Sequence, residues 1–186
     1  MKRHITALFL ILLFGIFCVF IAINGKSKAV LDVITPTKIK IDTKDGNETI
    51  CIENVEAFSL EPTEEFFNKY SKELSLSKSD IISLGYLTQE YAQKTLQNQK
   101  VSLHLIGKIT QECDYGTVKL NGIDYKSLIN NSGFGLENGK PFDIDKFKKN
   151  LETARKLNLV ILNHRSGKYH TLTCPFGNTA HDKIII

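Results

Sequence analysis

In the middle of the chain, the spacing of the apolar residues changes from a helical pattern to strand patterns and then back to a helical pattern. One helix face is predicted at Leu84, Leu87, Tyr91, Ala92, Thr95 and Leu96. Residues 101–106 and 117–120 then alternate apolar with polar side chains, as strands do. Asn121-Gly122 predicts a hairpin, because both residues tolerate a positive φ. Helical spacing returns over residues 125–134, and Gly133 predicts the end of that helix.

The flanking segments predict further strands and helices. Residues 38–42 and 48–53 alternate on either side of a polar turn and predict a hairpin. Thr63 stands where it would cap a helix. Residues 160–162 predict a short strand. Strands followed by helices that pack around them predict an α+β, mainly β fold, namely a five-stranded Greek-key barrel of the OB type.

The start of the chain predicts one transmembrane helix. Residues 5–23 carry no charge, and at helical rise they span roughly 28 Å, about the thickness of the hydrocarbon layer. Lys2 and Arg3 precede this run, so residues 1–4 are expected in the cytoplasm. The run exceeds a signal-peptide core and no A-x-A site follows, which favours an uncleaved signal-anchor. A cleaved signal, which would make the protein secreted, is the alternative.

The anchor divides the remaining chain into predicted parts. Residues 24–34 are interpreted as a linker, residues 35–162 as the barrel domain and residues 163–186 as a tail. The soluble part is expected on the extracytoplasmic side of the membrane. Cys18, inside the apolar run, is expected to face lipid.

The extracytoplasmic part carries no formal net charge. Four of the 24 basic residues flank the anchor, and the other 20 equal the acidic residues in number. A nucleic-acid-binding domain usually carries a basic excess, because contacts with phosphate supply much of its affinity. The predicted partner is the membrane, through the apolar N-terminal helix. Nucleic acid is not favoured, and a protein partner stays open.

Short motifs along the predicted barrel occur in a recognisable order. They are Gly85, Ala92, Lys100-Val101-Ser102-Leu103, Asp114-Tyr115-Gly116, Val118, Gly122, Leu128-Ile129 and Gly133, with Leu157-Asn158-Leu159 after the last helix. In this order and spacing, residues 35–162 resemble the thermonuclease (staphylococcal-nuclease-like) family. The resemblance implies an OB-type barrel, a last helix over residues 147–156, and calcium-dependent hydrolysis of phosphodiester bonds in the cleft.

Most catalytic positions that the resemblance implies hold other residue types here. The family uses carboxylates for calcium, two arginines for the phosphate and a glutamate as general base. Glu56 matches the second metal ligand, whereas residues 34–37 offer no carboxylate for the first. Cys51 and Thr117 stand at the arginine positions, and Ser59 at that of the base. The implied cleft set is Cys51, Glu56, Ser59, Tyr115 and Thr117, with Glu56 as the one catalytic remnant.

The missing arginines decide the predicted activity. One charge-stabilising group is worth about 10²–10³ in rate, and the only arginines after the anchor, Arg155 and Arg165, come late in the chain. We therefore predict a catalytically degenerate barrel that acts as a binding or interaction module, without calcium. A residual metal-dependent nuclease is the alternative.

Three cysteines follow the anchor, so they cannot all pair within one chain. The resemblance places Cys51 and Cys113 near the same cleft, and an oxidising compartment would allow a disulfide between them. Two separate buried thiols are the favoured interpretation.

The tail concentrates side chains that bind metals, namely His164, His170, Cys174 and His181. Imidazole and thiolate suit zinc, which takes four tetrahedral ligands. The Lys168-Tyr169-His170 triplet with Cys174 also resembles a segment that follows some bacterial thermonuclease-like domains, where a C-x-x-C pair completes it. No such pair follows here. A surface hairpin with a Ser166-Gly167 turn is the favoured interpretation, and a zinc-binding tail is the alternative.

Overall fold

The computed structural model describes residues 27–108, 113–137, 139–163, 165–172, 174 and 183–185. The predicted transmembrane segment, residues 5–23, lies outside this part of the chain, and so does Cys18. Within the described residues, no helix is long and apolar enough to cross a membrane.

The described residues form twelve strands and four helices. The strands are β1 (Lys28–Thr35), β2 (Lys38–Thr43), β3 (Gly46–Ile52), β4 (Glu56–Ala57), β5 (Lys100–Lys108), β6 (Asp114–Leu120), β7 (Ile123–Asp124), β8 (Gly135–Glu137), β9 (Lys140–Pro141), β10 (Val160–Asn163), β11 (Lys168–Thr171) and β12 (Lys183–Ile185). The helices are α1 (Glu64–Glu73), α2 (Lys78–Leu96), α3 (Tyr125–Asn131) and α4 (Ile144–Arg155).

Five strands, β1, β2, β3, β5 and β6, close into a barrel. The first three pair antiparallel in chain order, β3 pairs in parallel with β6, and β6 pairs antiparallel with β5. Two residue pairs between β1 and β5, Lys28 with Val101 and Ala29 with Lys100, complete the ring. This order is consistent with an OB-type barrel. The predicted α+β class with a closed five-stranded barrel is therefore confirmed.

Alternating side chains explain why these strands close on themselves. Ile39 and Ile41 of β2 and Ile50 and Ile52 of β3 are buried in the barrel, and the residues between them are more exposed. Burying one such side chain stabilises the fold by about 1.5–3 kcal/mol. The predicted hairpin over these residues is confirmed by the pairing of β2 with β3.

The first barrel strand begins earlier than the sequence pattern indicates. The predicted linker over residues 24–34 is wrong from Lys28 onward, because Lys28–Thr35 forms β1. Val30 and Val33 both face the core, although they are three residues apart, because the pairing with β2 shifts its register between them. The shift removes the simple alternation by which a strand is recognised.

The longest helix, α2, joins the barrel to the other packed regions. It begins with a capping box in which the Ser77 hydroxyl accepts from the Asp80 N–H and the Asp80 carboxylate accepts from the Ser77 N–H. Ala92 packs in the barrel core, Leu84 in a second core and Ile82 in a third. One helix therefore holds all three cores together.

The second core is aromatic and lies between α1, α2 and α4. The Phe58 ring stacks on Phe147 at 6.0 Å between centroids and meets Phe66 edge-on at 5.9 Å. Tyr70 is fully buried in the same cluster. The predicted cap of α1 is confirmed, because the Thr63 side chain accepts a hydrogen bond from the Phe66 N–H.

The third core lies under a sheet of strand order β11-β10-β12. Ile161 and Leu172 of this region pack on Ile82 of α2. The predicted hairpin with a turn at Ser166-Gly167 is confirmed, because β10 pairs antiparallel with β11 and Gly167 has a φ of 66°. The predicted division between residues 162 and 163 is wrong, because it falls inside β10.

Candidate functional site

An open cleft of about 480 Å³ lies beside the parallel pair of β3 and β6. Cys51, Glu56 and Tyr115, three of the predicted cleft residues, line this cleft. Its other polar lining residues include Thr37, Asn54, Lys126 and Glu137. The cleft is therefore polar and carries charges of both signs.

Glu56 is held by two neighbours from α1. It belongs to β4, and its Oε1 accepts hydrogen bonds from the Lys69 ammonium, at 3.1 Å, and from the Tyr70 hydroxyl. The Glu56 and Lys69 side chains are 40% and 39% exposed, so this ion pair is open to solvent. The sequence pattern gives no signal of the hydrogen bond between the Tyr70 hydroxyl and Glu56.

These contacts change how Tyr70 and Lys69 ionise. Burial, together with the hydrogen bond to Glu56, raises the pKa of Tyr70 to about 12. The hydrogen bonds with Tyr70 and Glu56 also raise the pKa of Lys69, whose ammonium lies 4.8 Å from the centre of the Tyr70 ring. At neutral pH Lys69 is therefore an ammonium and Tyr70 a neutral phenol, and both donate to Glu56.

A disulfide forms one side of the cleft. Cys51 and Cys113 are bonded, with their Cα atoms 5.7 Å apart. The favoured interpretation of two separate thiols is therefore wrong. Cys51 pairs with Tyr115 in the parallel register of β3 and β6, so Cys113 lies just before the strand that meets Cys51. This proximity depends on the closing of the barrel, which no local pattern encodes.

A second ion pair crosses the cleft and has no counterpart in the sequence interpretation. The Lys126 ammonium lies 3.8 Å from the Glu137 carboxylate, and both side chains are partly exposed. Lys126 is in the first turn of α3, where its N–H donates to Asp124. Glu137 ends β8, the partner strand of β4. The two residues meet only through the tertiary fold.

Two predicted cleft residues lie elsewhere. Ser59 lines a separate cavity of about 300 Å³ together with Gln89. Its backbone touches Gly85 so closely that a Cβ there would overlap the Ser59 carbonyl. Thr117 pairs with His104 across β5 and β6 and is not among the lining residues of the cleft.

The two arginines of the described residues are also outside the cleft lining. Arg155 of α4 donates to both carboxylate oxygens of Asp80, through Nε at 3.0 Å and Nη2 at 3.2 Å. Arg165 lies in the turn between β10 and β11. Neither guanidinium therefore stands beside Glu56 to bind a phosphate.

The cleft does not suit the calcium ion that the resemblance implies. Calcium takes six to eight oxygen ligands, largely from carboxylates. Here Oε1 of Glu56 already accepts from an ammonium and a phenol, and Glu137 pairs with Lys126. Among the described residues no three His, Cys, Asp or Glu side chains come together as a metal-binding group. The carboxylates of the cleft lining are therefore engaged with cations of the chain and do not form a calcium shell.

The predicted tail ligands are only partly described. His170 and Cys174 are neighbours, with 3.4 Å between Nδ1 and Sγ. Cys174 is the free cysteine of the described part and is partly exposed. His164 and His181 lie outside the described residues.

Neither a protein-family model nor a curated protein matches this sequence. The thermonuclease resemblance therefore rests on the motifs of the chain and on the barrel alone.

Proposed function

We propose that this chain is a membrane-anchored, extracytoplasmic protein of the thermonuclease-like OB type whose barrel cleft binds a partner without cleaving it. One observation carries the proposal, namely that Glu56 bonds Lys69 and Tyr70 while no arginine lines the cleft among the described residues. Phosphodiester hydrolysis needs preorganised positive groups at the reacting phosphate. Lys126, the cation in the cleft lining, is paired with Glu137.

The partner that this cleft suits best is a protein segment. The lining combines hydroxyl, amide and phenol groups with both signs of charge, which is typical of protein recognition and not of a phosphate track. The neutral charge balance of the chain after its first 28 residues supports the same choice.

Export is supported by the disulfide and by the apolar run at the N-terminus. Disulfides persist in oxidising compartments and are rare in the cytosol. The bond between Cys51 and Cys113 thus agrees with an extracytoplasmic barrel. Protease added to intact cells should degrade the barrel, and protection of the barrel until lysis would contradict this location.

The absence of catalysis is tested with the full chain in detergent, single-stranded DNA and calcium. We expect no cleavage above that of the Glu56→Gln variant. Glu137→Gln is the matched control, because it removes a second carboxylate of the same cleft. Cleavage that survives Glu137→Gln but disappears with Glu56→Gln would overturn the proposal in favour of a residual nuclease.

The binding role is tested by photo-crosslinking in cells. A benzophenone amino acid at position 115, inside the cleft, should form a discrete protein adduct. The same probe at position 119, on the exposed side of β6, is the control and should not. Equal labelling at both positions, or none at position 115, would contradict a binding role for the cleft.

A further inference from the structure

Residues 104–107 of β5, the β5 edge, expose two large apolar side chains. Leu105 is 49% exposed and Ile106 is 51% exposed, and His104 and Gly107 beside them are exposed as well. The pairing of β5 with β6 shifts its register between Leu105 and Gly107, so that Ile106 is an extra residue in the strand. Such a bulge interrupts the alternation of a strand. Two neighbouring aliphatic side chains therefore both contact solvent here.

The backbone of the β5 edge has a strand partner on one side only. β5 pairs with β6 along its length, but with β1 only at Lys100 and Val101. Among the described residues, no strand pairs with the β5 edge on the side away from β6. Proteins usually cover or charge such an edge, and exposed apolar patches mark interaction sites. The β5 edge is therefore a candidate contact surface.

The predicted membrane span ends close to this surface. Only residues 24–27 separate the span from β1, so the last residue of the span lies at most roughly 18 Å from Lys28. Lys28 pairs antiparallel with Val101, so the direction of β1 at Lys28 points back along β5 toward Leu105 and Ile106. At strand rise, these two residues lie roughly 13–17 Å beyond Val101. The β5 edge can therefore reach the surface of the membrane that holds the span.

The chemistry of the β5 edge suits a lipid surface. Aliphatic side chains partition into the boundary between headgroups and acyl chains. Residues 102–107 include no acidic side chain that anionic headgroups would repel, and Lys26 and Lys28 stand where they would attract them. We propose that Leu105 and Ile106 insert into the membrane surface and seat the barrel on the bilayer. This inference rests on the membrane anchor proposed above and adds a second contact with the same membrane.

The unpaired backbone limits the depth of this contact. Peptide groups that lack a hydrogen-bond partner are costly in hydrocarbon, where no water replaces the partner. The strand itself accordingly stays among the hydrated headgroups, and only the Leu105 and Ile106 side chains reach the acyl chains.

Fluorescence quenching by lipid tests this seating with the full chain in vesicles of phosphatidylcholine and phosphatidylglycerol. A Cys18→Ser, Cys174→Ser background leaves only the disulfide-bonded cysteines. An NBD label is attached at Gly107→Cys, where an added side chain meets open space. Its emission should shift to the blue and should be quenched by doxyl-labelled lipid.

The same label at Ile123→Cys is the matched control. Ile123 is 53% exposed and pairs with Leu120, which is opposite Val101 at the other end of the β5–β6 ladder. This label should keep its aqueous emission and should escape quenching by lipid.

Substitutions identify the side chains that make the contact. Leu105→Ser with Ile106→Ser should abolish the quenching of the label at position 107, whereas Ile123→Ser should leave it unchanged. Circular dichroism should show that each variant keeps its fold, because the replaced side chains are about half exposed. Quenching that survives the double substitution would contradict the role of these two residues.

Flotation of the chain with carbonate-washed vesicles separates this inference from the anchor on which it rests. If the chain floats but lipid does not quench the label at position 107, the seating is refuted and the anchor stands. A blue shift without quenching by lipid would also refute the seating, because a protein contact would then cover the β5 edge. If the chain does not float, the anchor and the seating both fail.

Discussion

Two carboxylates with cationic partners, Asp80 and Glu56, lie in different surroundings. The Asp80 side chain is 11% exposed, and Arg155 bonds both of its oxygens while Ser77 donates to one of them. The Glu56 side chain is 40% exposed, and its two donors share a single oxygen. Both oxygens of the largely buried Asp80 carboxylate are thus engaged within the fold, whereas the donors to Glu56 share Oε1 and leave Oε2 for a partner.

The comparison separates a structural ion pair from a candidate binding group. The junction of α2 and α4 is held by the contact of Asp80 with Arg155, whereas Cys51, which lines the cleft with Glu56, is held by the disulfide. Loss of Asp80 should therefore act on stability. Loss of Glu56 should act mainly on the cleft.

The largest effect is expected from the disulfide on the cleft side. Replacing both cysteines, Cys51→Ser with Cys113→Ser, should lower the free energy of unfolding by roughly 4 kcal/mol, because the bond restricts a loop of 62 residues in the unfolded chain. Urea unfolding followed by circular dichroism measures this loss. Cys174→Ser in metal-free buffer is the control. A double variant as stable as that control would show that the disulfide does not stabilise the barrel.

A smaller loss of stability is expected from Asp80→Ala at the junction of α2 and α4. Asp80→Ala removes both the Arg155 contact and the hydrogen bond that the Ser77 N–H donates to the Asp80 carboxylate, and such a hydrogen bond alone contributes about 1 kcal/mol. Burial by itself would raise the pKa of Asp80, but the hydrogen bonds from Arg155 and Ser77 outweigh it and lower that pKa. The contribution of Asp80 is therefore complete above its ordinary pKa and is lost as the pH falls through the lowered value.

Acid unfolding checks this expectation. The parent chain should lose stability below about pH 4, and Asp80→Ala should lose less over the same range. Parallel acid profiles for the parent and Asp80→Ala would contradict the role assigned to Asp80.

The smallest effect on stability is expected at Glu56. Glu56→Gln should change the free energy of unfolding by less than about 1 kcal/mol, because its ion pair is exposed. The pKa of Tyr70 should fall below about 12 but stay above its ordinary value, because burial, the larger cause of the rise, remains when the carboxylate is gone.

Alkaline titration measures this shift in Tyr70. Since folding raises its pKa, the stabilising contribution of Tyr70 is complete below pH 10 and is lost as the pH rises through about 12. The difference in tyrosinate absorbance between each chain and its Tyr70→Phe derivative isolates this residue. An unchanged Tyr70 titration in Glu56→Gln would show that burial alone sets its pKa.

Much of the fold could be predicted because its signals are local. Asn121 and Gly122 adopt φ of 51° and 81° as the hairpin needs, and Thr63 caps α1. The extent of β1 could not be predicted, because a register shift spaces Val30 and Val33 irregularly. The hydrophobic pattern of a strand is informative only while its pairing stays regular.

The candidate site was predictable only in part. The resemblance led to Cys51, Glu56 and Tyr115, which line the cleft, but also to Ser59 and Thr117, which do not. The partners that decide the chemistry of Glu56 are on α1, in a segment that the resemblance does not cover with any motif. Residue types at matching positions carry no information about such neighbours.

The sequence alone determined the turns, the caps and the inward faces of the strands, since each depends on residues a few positions apart. Only the tertiary structure decided that Cys51 meets Cys113, that Arg155 bonds Asp80 and that Tyr70 donates to Glu56. These contacts join residues 14 to 75 positions apart in the chain. Their formation depends on how the barrel closes and how the helices pack on it, because cooperative burial sets which distant groups meet.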